Sequence, residues 1–179
     1  MSESKPIPTR ASKERIHAFA EEIAKKLSFG PGDDIEMLVK RLGGKIHIKD
    51  PINFSGEYPE SIIIRSATDF TIFVPSMTSP ERDRFTIAHE LGHLALHYPL
   101  FLQKYPGTPM IATRWVDETD QIQQRAEWEA NWFAAGFLMG GKAFKEAFIE
   151  CRKSLSLVAS KFGVSAAAAE IRAKNLSLI

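Results

Sequence analysis

An internal disulfide is excluded at once, because the 179 residues contain a single cysteine, Cys151. Its lone thiol reads as idle and agrees with a reducing compartment. Long apolar runs are also missing. The longest, residues 132–139, contains Gly136 and is less than half of the roughly 20 residues a membrane-spanning helix needs. Residues 1–10 mix Ser, Lys and Pro without the apolar stretch of a secretory signal. Charge of one sign is not in excess, since 23 Lys and Arg face 22 Asp and Glu, so no global field draws the chain to nucleic acid or to an anionic membrane. Repeats at solenoid periods are absent, and the one biased run, the alanines at 166–169, is a helix former rather than a low-complexity tail. These absences predict a soluble, cytoplasmic, globular protein with no membrane partner. Its length suits one domain with a real core, or one domain carrying a small helical appendage.

What is present is a change of period along the chain. In residues 12–29, Ile16, Phe19, Ala20, Ile23 and Leu27 recur at helical spacing, which predicts a packing helix. A shorter helix presents Ile35, Leu38, Val39 and Leu42 and stops at Gly43-Gly44. Three β-rich runs follow at 45–49, 61–65 and 70–75, separated by turn residues such as Asn53, Ser55, Gly56 and Asp69. They predict a small, mostly antiparallel sheet. Ser79 as N-cap and Pro80 at the first helical position then open a helix expected to end near Tyr98, before Pro99. Residues 99–118 read as a long connection, and a further helix spans roughly 119–139 up to Gly140-Gly141.

The helix opened by Ser79 contains His89-Glu90-Leu91-Gly92-His93, an H-E-x-x-H pattern. Residues four apart on an α-helix are separated by about 6 Å along the axis and about 40° around it, so two imidazoles can meet on one ion at about 2.0–2.1 Å. Zinc is the expected cation, although Mn2+ or Fe2+ can occupy similar sites. Glu90 follows the first histidine and points off the ligand face, which suits it to general-base chemistry on an activated water. Such a site needs a third protein ligand. Glu127 is the preferred candidate, with Asn131 on the same helix face to hydrogen-bond one of the histidines. Its rival Glu129 lies roughly 200° away around that helix and is expected to face solvent. His97 cannot share the ion with His89, because about 12 Å of helix separates them. It reads as a capping residue or as a polar group at the rim of the cleft.

Two segments carry a family likeness. They are Arg84-Phe85-Thr86-Ile87-Ala88-His89-Glu90-Leu91-Gly92-His93-Leu94-Ala95-Leu96-His97 and Glu127-Trp128-Glu129-Ala130-Asn131-Trp132-Phe133-Ala134-Ala135-Gly136-Phe137-Leu138-Met139. Through them the chain resembles the ImmA/IrrE family of metallopeptidases. The resemblance implies an α+β, zincin-like fold, a metal held by His89, His93 and Glu127, and Glu90 as catalytic base. It also implies a protein substrate of helix-turn-helix repressor type, in mobile-element or stress regulation. Met139-Gly140-Gly141 departs from the family, which often has proline after the methionine. Zincin-type sites commonly hold an extended peptide on a sheet edge, for which residues 70–74 or 61–65 are candidates.

The C-terminal segment predicts two short helices around Gly163, helix-turn-helix-like in shape. Its second helix begins with alanines and offers only Arg172, Lys174 and Asn175 toward its far end, whereas bases are read from the start of a recognition helix. Packing or partner docking is therefore expected rather than direct DNA binding. The chain divides into a metallopeptidase domain at 1–141 and a helical segment at 142–179 packed on it. The function expected is zinc-dependent endopeptidase. The alternatives are a metal-binding regulator that sequesters a repressor without proteolysis, and a toxin or antitoxin component.

Overall fold

A computed structural model describes residues 4–49 and 60–179. The expected turn residues Asn53, Ser55 and Gly56 lie outside them. Ser12 opens α1 (Lys13–Lys26) by accepting from the Arg15 amide, and Ile16, Ala20 and Ala24 form its buried stripe. Asp34 caps α2 (Ile35–Arg41), accepting from the Glu36 and Met37 amides. The chain then enters a four-stranded sheet of β1 (Gly44–Lys49), β2 (Glu60–Ser66), β3 (Asp69–Pro75) and β4 (Met110–Thr113).

The strand order is β1-β3-β2-β4. β1 runs parallel to β3, and the β2–β3 and β2–β4 pairings are antiparallel. The sheet is thus mostly antiparallel, with a fourth strand that falls inside the expected connection at 99–118. Alternation along the strands buries Ile62, Ile64, Phe70, Ile72, Val74, Met110 and Ala112, so one face of the sheet meets the helical core.

Ser79 caps α3 (Pro80–Gly92) through the Arg82 amide, with proline in the first turn. The helix does not end before Pro99. A π-helical turn, His93–His97, leads directly into α4 (Tyr98–Lys104). An α-helix rejects proline because its ring meets the carbonyl four residues back. Here Pro99 falls in the first turn of α4 after a widened turn, which explains why the helical run continues.

α5 (Gln121–Leu138), capped by Asp120, packs against both α1 and α3. The approach is close because the contact residues are small. A Cβ on Gly92 of α3 would stand 3.1 Å from Ala130 Cα, and one on Gly136 of α5 would stand 2.9 Å from His17 Cα and O. After α5 come α6 (Gly141–Glu150), α7 (Leu155–Phe162) and α8 (Ala166–Asn175). Phe144, Phe148, Val158, Phe162 and Ala169 continue the same hydrophobic core as Ile16, Ala134 and Phe137.

α8 presents no free basic row. Arg172 is buried and donates to Met139 O (2.8 Å) and Glu21 Oε1 (2.8 Å), while Lys174 pairs with Glu170 and Asn175 accepts from Lys13. Among the described residues, no helix is long and apolar enough to cross a membrane.

Candidate metal centre

α3 delivers His89 and Glu90, the π-helical turn begins with His93, and α5 brings Glu127 across from the other side. One ligand atom from each of His89, His93 and Glu127 lies within 4.8 Å of the others. The Nε2 atoms of His89 and His93 are 3.2 Å apart, His89 Nε2 is 3.1 Å from Glu127 Oε2, and His93 Nε2 is 3.1 Å from Glu127 Oε1. Tetrahedral ligands held at about 2.0–2.1 Å from an ion stand about 3.3–3.4 Å from one another, so this donor set fits a small divalent cation. His93 is fully buried, whereas the His89 and Glu127 side chains keep 14% and 25% exposure. The cluster therefore opens to solvent on one side only.

The outer nitrogens of the two rings are engaged. His89 Nδ1 lies 2.9 Å from Asn131 Oδ1, one turn beyond Glu127 on α5. An amide oxygen only accepts, so His89 carries a proton on Nδ1, which would leave the Nε2 lone pair for a bound cation. His93 Nδ1 lies 3.0 Å from His97 Nδ1.

Glu90 is 3% exposed. Its Oε2 accepts from Ser61 Oγ at 3.1 Å. Ser61 reaches it because the β2–β4 register shifts between Glu60 and Ile62, a bulge of the kind that re-aims one side chain. The sequence holds no signal for that bulge, and Ser61 was not among the expected site residues.

The charges follow from burial and neighbours. Burial pushes Glu90 up to about 7, helped by the charge of Glu127 and opposed by His89, the Ser61 bond and the cation of Arg114. Burial alone would lower His89. The Glu127 bond and the charges of Glu90 and Glu127 outweigh it and raise the imidazole to about 9. At His93 burial prevails and holds the ring down to about 4. Burial would raise Glu127, but the bonds from His89 and His93 hold it well below the usual carboxylate range.

Three expectations need correction. His97 is neither a cap nor at a rim, being completely buried in the middle of a continuous helical run. Glu129 does not face solvent. It is completely buried, because residues 9–11 cover that side of α5, and it accepts from Thr9, Arg10, Arg125 and His97. A helical wheel places Glu129 opposite Glu127 correctly but cannot say what covers the far side. The expected substrate edges are also displaced. Both β2 and β3 are paired on two sides, and β1 and β4 form the edges of the sheet among the described residues.

A mixed sheet with the histidine-bearing helix packed beneath it and a glutamate supplied by a second helix defines a zincin-like fold. Comparison with known proteins carries this to a family. Residues 65–174 match the peptidase family described as the IrrE N-terminal-like domain, and the chain belongs to that family. A solved structure of a Mycobacterium tuberculosis transcriptional regulator is similar at 19% identity and a TM-score of 0.60, covering 88% of this chain and 55% of that one. That likeness supports the fold, and the chain spans about half of that regulator's length. No curated protein matches.

Proposed function

We propose that the protein is a cytoplasmic zinc-dependent endopeptidase that hydrolyses a peptide bond in a specific protein substrate, a helix-turn-helix transcriptional repressor. Family membership supports peptidase chemistry. The observation that carries the reading is the meeting of His89, His93 and Glu127 within 4.8 Å, with a buried carboxylate, Glu90, on the residue following the first histidine.

His89, His93 and Glu127 would hold the cation. Bound there, a divalent ion supplies Lewis-acid polarisation of a carbonyl and makes a water more acidic. Glu90 takes the proton of the attacking water and returns it to the departing amine, a double role open to a carboxylate held in a space largely closed to solvent. Ser61 holds the Glu90 carboxylate in one orientation for both transfers.

β4 is the edge that suits the substrate. Thr113 of β4 pairs with Glu60, next to Ser61, so the end of this strand lies beside the residue that touches Glu90. An extended peptide added to β4 would run past that carboxylate.

The test pairs zinc-loaded wild type with Glu90→Gln, each incubated with a candidate repressor. A defined fragment is expected only with wild type, while both proteins retain the metal. Equal cleavage by the two proteins would remove Glu90 from its role, and retained sequestration without any fragment would favour a non-proteolytic regulator.

A further inference from the structure

The ring of His93 is not the end of its hydrogen-bond chain. His97 Nδ1 stands 3.0 Å from His93 Nδ1, and His97 Nε2 stands 3.2 Å from Glu129 Oε2. His97 and Glu129 are completely buried, so water does not replace either partner. Glu129 also accepts from Thr9 N and Thr9 Oγ1 at 2.8 Å each, from Arg10 N at 2.8 Å and from Arg125 Nε at 2.9 Å.

With every neighbour of the Glu129 carboxylate a donor, His97 must present N–H from Nε2. A neutral imidazole then has only a lone pair on Nδ1. That lone pair requires the proton of His93 on its own Nδ1, which would leave the His93 Nε2 lone pair for the cation that His89, His93 and Glu127 would hold. With the cation bound, this one arrangement of protons satisfies the whole row.

We propose that His97 and Glu129 are positioning residues for the metal centre. They form a buried relay that fixes the tautomer and ring orientation of His93, anchored on its far side by the backbone of the N-terminal segment at Thr9 and Arg10. The inference rests on the metal site described above. His89 has a short counterpart in Asn131, so each histidine is oriented separately, one by an amide at the surface and the other by a chain reaching the N-terminal segment. Partners that orient a metal-binding histidine typically influence metal affinity by about 10- to 100-fold.

The test measures zinc affinity of the full chain by competition with a chromophoric chelator, in wild type, His97→Leu, His97→Gln and His89→Ala. Folded His97→Leu is expected to bind zinc about 10- to 100-fold more weakly. His97→Gln should recover part of the loss, because its amide can accept from His93 and donate to Glu129. Equal affinity in His97→Leu and wild type would overturn the relay alone. Equal affinity in His89→Ala and wild type would instead overturn the metal site on which it rests. Nitrogen-15 spectra of wild-type imidazoles give an answer that does not depend on any variant folding. His97 is expected to be protonated on Nε2 and bare on Nδ1, and the opposite tautomer overturns the proposal.

Discussion

Glu90 and Ser61 meet in a space from which water is largely excluded, so a single hydroxyl carries more weight than it would at the surface. Their bond, 3.1 Å long, holds one oxygen of the carboxylate proposed above as the general base. A hydrogen bond to a charged group contributes about 1.5–3 kcal/mol, and about 1.4 kcal/mol corresponds to a tenfold rate change. Ser61→Ala is expected to lower kcat by about tenfold or more with zinc content unchanged. Peptide cleavage measured beside metal content checks this, and loss of both together would give Ser61 a folding role instead. At this scale much of the site was legible, since H-E-x-x-H needs only the helical period to bring two imidazoles together. Ser61 was not, because the β-bulge that turns it inward is a property of the pairing of two strands.

At the level of the element, the geometry of the centre depends on how closely α3 and α1 approach α5. Gly92 lets α3, which carries His89, settle on Ala130, while Gly136 does the same for α1 at His17. Alanine favours a helix over glycine by about 1 kcal/mol. A Cβ at Gly136, however, would stand 2.9 Å from the Cα and carbonyl oxygen of His17, and backbone atoms cannot swing aside. Overpacking of this kind costs about 1–3 kcal/mol, so Gly136→Ala is expected to lower the midpoint of urea unfolding despite its better propensity. An unchanged or higher midpoint would show that α1 can shift without loss. The small-residue face of α5 was readable from Ala126, Ala130 and Ala134. The π-helical turn was not, because proline argues locally for a helix end and only the packing of His93 and His97 inside the core keeps the helix going.

Across the whole molecule, the last helix is tied to the first. Arg172 Nη1 lies 3.1 Å from His17 Nδ1 and Arg172 Nη2 lies 2.8 Å from Glu21 Oε1, which also accepts from the Gly141 amide. Burial above all, then the charges of Arg172 and Lys13, lower His17 to about 4. An unfolded histidine takes up a proton near pH 6.5. Between these two values the unfolded chain binds a proton that the folded chain refuses, so this contribution to stability is complete above about 6.5 and declines as pH falls toward about 4. His17→Gln can still accept from Arg172 but does not titrate. Its urea midpoint is expected to fall less than that of wild type between about pH 7 and pH 4.5. Parallel decline of the two proteins would show that His17 does not sense pH in the folded state.

The sequence by itself determined the local order of this protein: the helical period of α1, α2, α3 and α5, the cap at Ser79, and the spacing that places His89 beside His93 and Glu127 beside Asn131 on their helix faces. Those features depend on residues a few positions apart, so they are written in the chain. The tertiary structure alone decided which strands became edges, that Ser61 turned toward Glu90, and that His97 and Glu129 were enclosed rather than exposed. Each of these depends on what another, distant segment covers. A periodic pattern shows which face a side chain takes, whereas burial of that face is settled only when the rest of the molecule packs against it.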